Sequence, residues 1–152
     1  MVPVAAPEEI ETAVAALSES SGLEFRVTDV PVIGTNLYVV YARNHPLPEK
    51  YTVSSATLGF RVPGNFPDAG PEDSFFLQPD DIRLKEDDPV THTRNLNRAS
   101  SNQDFVRGTE LEGAALVFSW HLWEKRPWSR SKNTLIDHYA HCVRRFDQPE
   151  HD

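Results

Sequence analysis

The segment Val62–Pro79, "VPGNFPDAGPEDSFFLQP", decides how the chain is read. Pro63, Pro67, Pro71 and Pro79 each fix φ and remove a backbone donor, and each pushes the residue before it toward extended conformations. A helix cannot run through such a segment. The spacing predicts a rigid, turn-rich path leaving a strand, with Phe66, Phe75 and Phe76 anchoring it to a sheet.

Upstream, "PEEIETAVAALSESSG" reads as a helix. Pro7 suits its first turn, Ile10, Ala13, Val14 and Leu17 share one stripe, and Gly22 is a natural stop. Three extended segments follow, "LEFRVTDV", "LYVVYA" and "ATLGFRV", with Leu58, Phe60 and Val62 alternating toward one face. They predict an antiparallel meander. Downstream, residues 85–107 are polar and almost free of aliphatic side chains, which predicts a long loop.

The last helix opens near Asn133 and Thr134, either of which can cap it, and Asp137 lies in the first turn, where the helix dipole favours an acid. Leu135, Ile136, Tyr139, Val143 and Phe146 form its apolar stripe. At about 100° per residue, His138, His141 and Arg145 fall on the opposite, polar side, and Cys142 falls at the stripe's edge. The expected fold is α+β and spans residues 1–152 as one domain. An N-terminal helix, a four-stranded antiparallel meander and a C-terminal helix share one sheet face, with a core at about 7–146 and a tail at 147–152.

Composition narrows the function classes. A net charge of −8 works against non-specific nucleic-acid binding, because phosphates reward cations. Between Trp120 and Phe146 six basic residues face only Glu124 and Asp137, which suits either a solvated helix face or a docking surface for an acidic partner. Cys142 is the single cysteine, so it forms no internal disulfide and no cysteine-built zinc site, and a reducing, cytoplasmic location is expected. No apolar run reaches membrane-spanning length, and "MVPVAAPEEIETAV" lacks the features of a signal peptide, so neither a membrane span nor export is expected. No metal or cofactor is expected either: His92 and His121 stand outside any His-Glu-x-x-His motif, and His138 and His141 lack a neighbouring third ligand.

The order of elements resembles the ubiquitin-conjugating-enzyme (UBC) superfamily: an amphipathic helix, a strand meander, the aromatic-proline turn Phe66-Pro67, then Pro71 and another strand. The ending "VFSWHLWEKRPWSRSKNTLIDHY" is similar to the bacterial branch called prokaryotic family E, although relatives tend to carry Gly-x-Asp where this chain has "SRSKNTL" after Trp128. The resemblance covers about residues 7–146. It implies a UBC-like fold, with Trp128 packing the last helix on the sheet. It also implies a bacterial pathway that attaches a ubiquitin-like modifier, with an adenylating activating enzyme and a deconjugating peptidase as partners. In eukaryotic members a cysteine following a His-Pro-Asn signature carries the modifier as a thioester. Here no cysteine precedes Cys142, and the only His-Pro, His45-Pro46, comes before the third strand.

The stretch "FSWH" supplies a replacement. In an extended segment Ser119 and His121 project to the same side, and a hydroxyl beside an imidazole is the minimum for an activated oxygen nucleophile. The modifier would then be held as an oxyester on Ser119, with His121 as base, and Ser100 and Ser101 in the polar loop as competitors. Trp123 beside Lys125, Arg126 and Arg130 has the composition of a partner-binding patch. Two readings stand: a non-cysteine transferase of a ubiquitin-like modifier, and an inert UBC-like module that binds modifier or partner.

Overall fold

The computed structural model describes residues 6–30, 36–85, 93–94, 99–111, 113–119 and 127–147, the side chains of 93, 94 and 119 excepted. Helix α1 (Glu8–Ser21) starts where the Pro7 carbonyl accepts from the Ile10 and Glu11 amides at 3.0 Å. Glu8, Glu9 and Glu11 crowd its positive end, and Gly22, at φ 74°, closes it by donating to the Ser18 carbonyl. Strands β1 (Arg26–Asp29), β2 (Leu37–Pro46), β3 (Ser55–Pro63) and β4 (Ser74–Gln78) form the expected antiparallel meander.

The sheet does not stop at four strands. Strands β7 (Ala99–Asn102) and β8 (Ala115–Ser119) continue it in the order β1-β2-β3-β4-β8-β7, and the two-residue strands β5 (Leu84–Lys85) and β6 (Thr93–Arg94) pair separately. This corrects both the strand count and the reading of 85–107 as a loop. The sequence "ASSN" carries no strand signal because β7 is an exposed edge: only Ala99 packs against the core, and Ser100, Ser101 and Asn102 are exposed.

Alternation along the strands builds two cores. Tyr38, Val40, Leu58, Phe60, Phe75 and Phe118 face the helices, together with Ile10, Val14 and Leu17 of α1. Val39, Tyr41, Phe76 and Ala115 face the other way, where Phe105, Val106 and Leu111 cover them. Arg61 holds that cover in place: its guanidinium lies 3.9 Å from the Phe105 ring centroid, and its Nε donates to Glu72 at 2.6 Å.

Helix α2 (Leu135–Asp147) begins with a capping box, the Thr134 amide donating to Asp137 and the Asp137 amide to the Thr134 hydroxyl. Its buried face differs from the expected stripe. His138 and Arg145, placed on the polar side by periodicity, are 0% and 6% exposed. Cys142, expected at the edge, is fully buried. The reason is that α2 lies on aromatic residues of the core it covers. Leu135, Cys142 and Phe146 reach the core, His138 meets Phe60 edge-on at 4.6 Å, and Arg145 lies 5.7 Å from the Phe118 ring centroid. Tyr139, half-buried, turns instead toward Phe25 at 5.3 Å. An aromatic sheet surface accepts an imidazole and a guanidinium that an aliphatic one would reject.

Candidate functional site

The proline-rich turn is held by Trp128. It leaves β3 at Pro63 and enters β4 at Ser74, and its Phe66-Pro67 bond is cis. Trp128 lies across it. The indole donates from Nε1 to the Pro67 carbonyl at 2.8 Å and packs on Phe66 at 5.6 Å. Gly70 is required beneath it, since a Cβ there would come within 2.3 Å of the indole ring. Trp128 therefore ties the approach to α2 onto the turn.

Ser119 is the last residue of β8 and stands in register with Ser74, the first of β4. Its backbone is thus strand, as the two-residue periodicity required; its side chain lies outside the described residues. His121, Trp123, Lys125 and Arg126 also lie outside them, as do Trp120 and His92. Arg130 is exposed and forms an ion pair with Asp68 of the proline-rich turn. It also stands at the rim of an open groove of about 600 Å³. Ala13 and Ala16 of α1, Phe66 and Pro67, and Leu135 and Ile136 of α2 give that groove apolar walls, and Glu8 and Glu9 give it an acidic edge.

The residue types most often used in catalysis are elsewhere, in the core. Burial pushes the Cys142 thiol well above its usual range, so the thiolate, the nucleophilic form, is suppressed. Burial likewise drives His138 down to about 3, with His141 lowering it further. His45 reaches the helix-facing side only because a bulge between Ala42 and His45 inserts an extra residue, Asn44 adopting φ 58°. Its Nε2 accepts from the Tyr139 hydroxyl at 2.6 Å, which leaves Nδ1 to donate to the Pro46 carbonyl at 2.8 Å. Burial lowers its pKa as well. Beside it, Tyr51 donates to the Phe146 carbonyl at 2.6 Å and Lys50 to the Asp147 carbonyl at 2.7 Å, satisfying the last carbonyls of α2.

Exposed polar chemistry among the described residues includes hydroxyl–carboxylate contacts. One pair was not singled out by the sequence: the Ser101 hydroxyl donates to Asp80 Oδ2 at 2.5 Å. No sequence signal links residues 80 and 101, since only the β4-β8-β7 order brings them together. Among the described residues no group of three or more His, Cys, Asp or Glu side chains is placed to hold a metal ion, and no helix is long and apolar enough to cross a membrane. No family model, curated protein or solved structure matches this chain.

Proposed function

We propose that this chain is a UBC-like component of a bacterial, cytoplasmic pathway that attaches a ubiquitin-like modifier, and that it carries the modifier as an oxyester on a serine. The single observation that carries the chemical half of this reading is the burial of Cys142, the only thiol in the sequence. A thioester carrier needs an accessible thiolate, and a fully buried thiol with a raised pKa cannot meet an activated modifier. The pathway half rests on the resemblance carried by Val62–Pro79 and by the ending around Trp128. The shared face of α1 and α2 and the Trp128 contact with the turn support it.

Ser119, with His121 as base, is the nucleophile this reading assigns, and Trp123, Lys125, Arg126 and Arg130 receive the partner. The partners are the modifier, its adenylating enzyme and a deconjugating peptidase. The groove beside Arg130 favours a second reading, an inert UBC-like module that only binds modifier or partner. One reaction separates the two: the protein with its activating enzyme, ATP and modifier. A transferase gives an adduct that resists thiol reductants, is cleaved by hydroxide and disappears in Ser119→Ala. An adduct persisting in Ser119→Ala removes that nucleophile, and no adduct with verified partners leaves the binding module.

A further inference from the structure

Two hydroxyls among the described residues donate to a carboxylate. Thr134 donates to Asp137 at 3.3 Å and is engaged in capping α2. Ser101 donates to Asp80 Oδ2 at 2.5 Å and caps nothing. It sits on β7, opposite Leu116 of β8, with its residue exposed. Asp80 follows directly on Pro79 at the end of β4. The turn that carries it is held from within, as Arg83 donates to the Asp80 carbonyl at 3.1 Å and to the Ile82 carbonyl at 2.8 Å. The backbone that carries the carboxylate is therefore held, and the residue that carries the hydroxyl is exposed.

From this geometry we infer that Ser101 is an acyl-accepting nucleophile with Asp80 as its general base, the acyl donor being an extended peptide whose C-terminal carboxyl is activated as a thioester. The inference rests on the conjugation reading above and names a different hydroxyl for it. A serine attacks only when a base takes its proton, and the base must lie within hydrogen-bond reach. An aspartate performs this service for substrate hydroxyls in phosphoryl transfer. The step balances simply. Oγ of Ser101 bonds to the carbonyl carbon while its proton passes to Asp80 Oδ2. The carbon–sulfur bond breaks, and the departing thiolate recovers the proton from Asp80. The product is an oxyester and a free thiol. The donor also has a place to lie: β7 is the last strand of the sheet, and among the described residues no strand pairs with its outer edge. An extended tail can add there by backbone hydrogen bonds.

The first test needs no partner protein. The purified chain is incubated at neutral pH with a synthetic peptide ending in a glycine thioester, and acylated residues are mapped by mass spectrometry. The expected result is a hydroxide-labile acyl group on Ser101, formed at least tenfold more slowly in Asp80→Asn and absent in Ser101→Ala. Ser101→Cys keeps the position reactive and converts the adduct into a thioester that reductant removes, which keeps the test informative even if the alanine variant is altered elsewhere. Labelling spread evenly over exposed serines, or a rate unchanged in Asp80→Asn, overturns the inference. The second test repeats Ser101→Ala in the reaction with activating enzyme, ATP and modifier. An adduct lost in Ser119→Ala but kept in Ser101→Ala overturns Ser101 and leaves the conjugation reading standing. Acylation of Ser101 by the peptide thioester with no adduct from verified partners upholds the dyad and removes the conjugation reading.

Discussion

The two polar regions of this molecule are built from opposite materials. Around α2, His45, Tyr51, Tyr139, His138 and Cys142 are drawn into or against the core, and the hydrogen bonds of His45, Tyr51 and Tyr139 close on the protein itself. On the exposed surface two separate pairs stand apart from that core: Ser101 donates to Asp80, and Arg130 forms an ion pair with Asp68. Among the described residues, the Cys142 thiol and the His45 and His138 imidazoles are spent on packing. The weaker nucleophiles are the accessible ones. A chain of this composition can do acyl chemistry only if a hydroxyl is given a base, and the exposed region is where such a base stands.

Breaking the buried region should cost most. Phe118 stacks on Phe75 at 4.5 Å with the rings 5° from parallel, both fully buried. Phe118→Ala should destabilise the fold by about 3–5 kcal/mol, seen as a lower urea midpoint. A smaller change there is a modest loss that still exceeds anything at the exposed pairs.

Acid sharpens the contrast next. Below the ordinary histidine value of 6.5 the unfolded chain binds a proton that folded His138, at about 3, refuses, so stability present above 6.5 is lost as pH falls from 6.5 toward 3. His45, also lowered by burial, acts in the same direction. Between those two values His138 should contribute a slope approaching about 1.4 kcal/mol per pH unit. Urea titrations at pH 7.5, 6 and 5 should show this decline, and His138→Phe should remove one histidine's share of it. A urea midpoint flat across that range would mean that these imidazoles are not buried neutral.

Tyr51→Phe comes third. It leaves the Phe146 carbonyl buried without its donor and should cost about 1–3 kcal/mol in chemical unfolding. Cys142→Ala should cost about 1 kcal/mol, and the wild-type thiol should react with a thiol reagent only on unfolding. At the exposed side, Arg130→Ala should change the midpoint by less than about 1 kcal/mol, since an exposed ion pair contributes little, yet it should weaken partner binding if the groove is used.

The sequence reading succeeded where one physical signal dominated. α1 was legible because its stripe, its proline entry and its glycine exit agree, and β3 because Leu58, Phe60 and Val62 alternate. The reading failed where tertiary context overrode periodicity. No local pattern announces that "ASSN" pairs with β8, because an edge strand can be wholly polar. The bulge that turns His45 inward consists of one extra residue, and period-two counting does not register it. The polar face assigned to His138 and Arg145 ignored what an aromatic sheet can accommodate. The Ser101–Asp80 pair joins two stretches separated by residues with no strand signal of their own. The remaining site candidates, His121, Trp123, Lys125 and Arg126, lie outside the described residues.

The central claim is that any acyl chemistry here belongs to an exposed hydroxyl and not to the buried thiol. The most direct measurement is adduct formation by Cys142→Ala with activating enzyme, ATP and modifier, scored before and after reductant and hydroxide. The account predicts an adduct at the wild-type level that survives reductant and is cleaved by hydroxide. Loss of the adduct in a folded Cys142→Ala protein, or a wild-type adduct released by reductant, would contradict it.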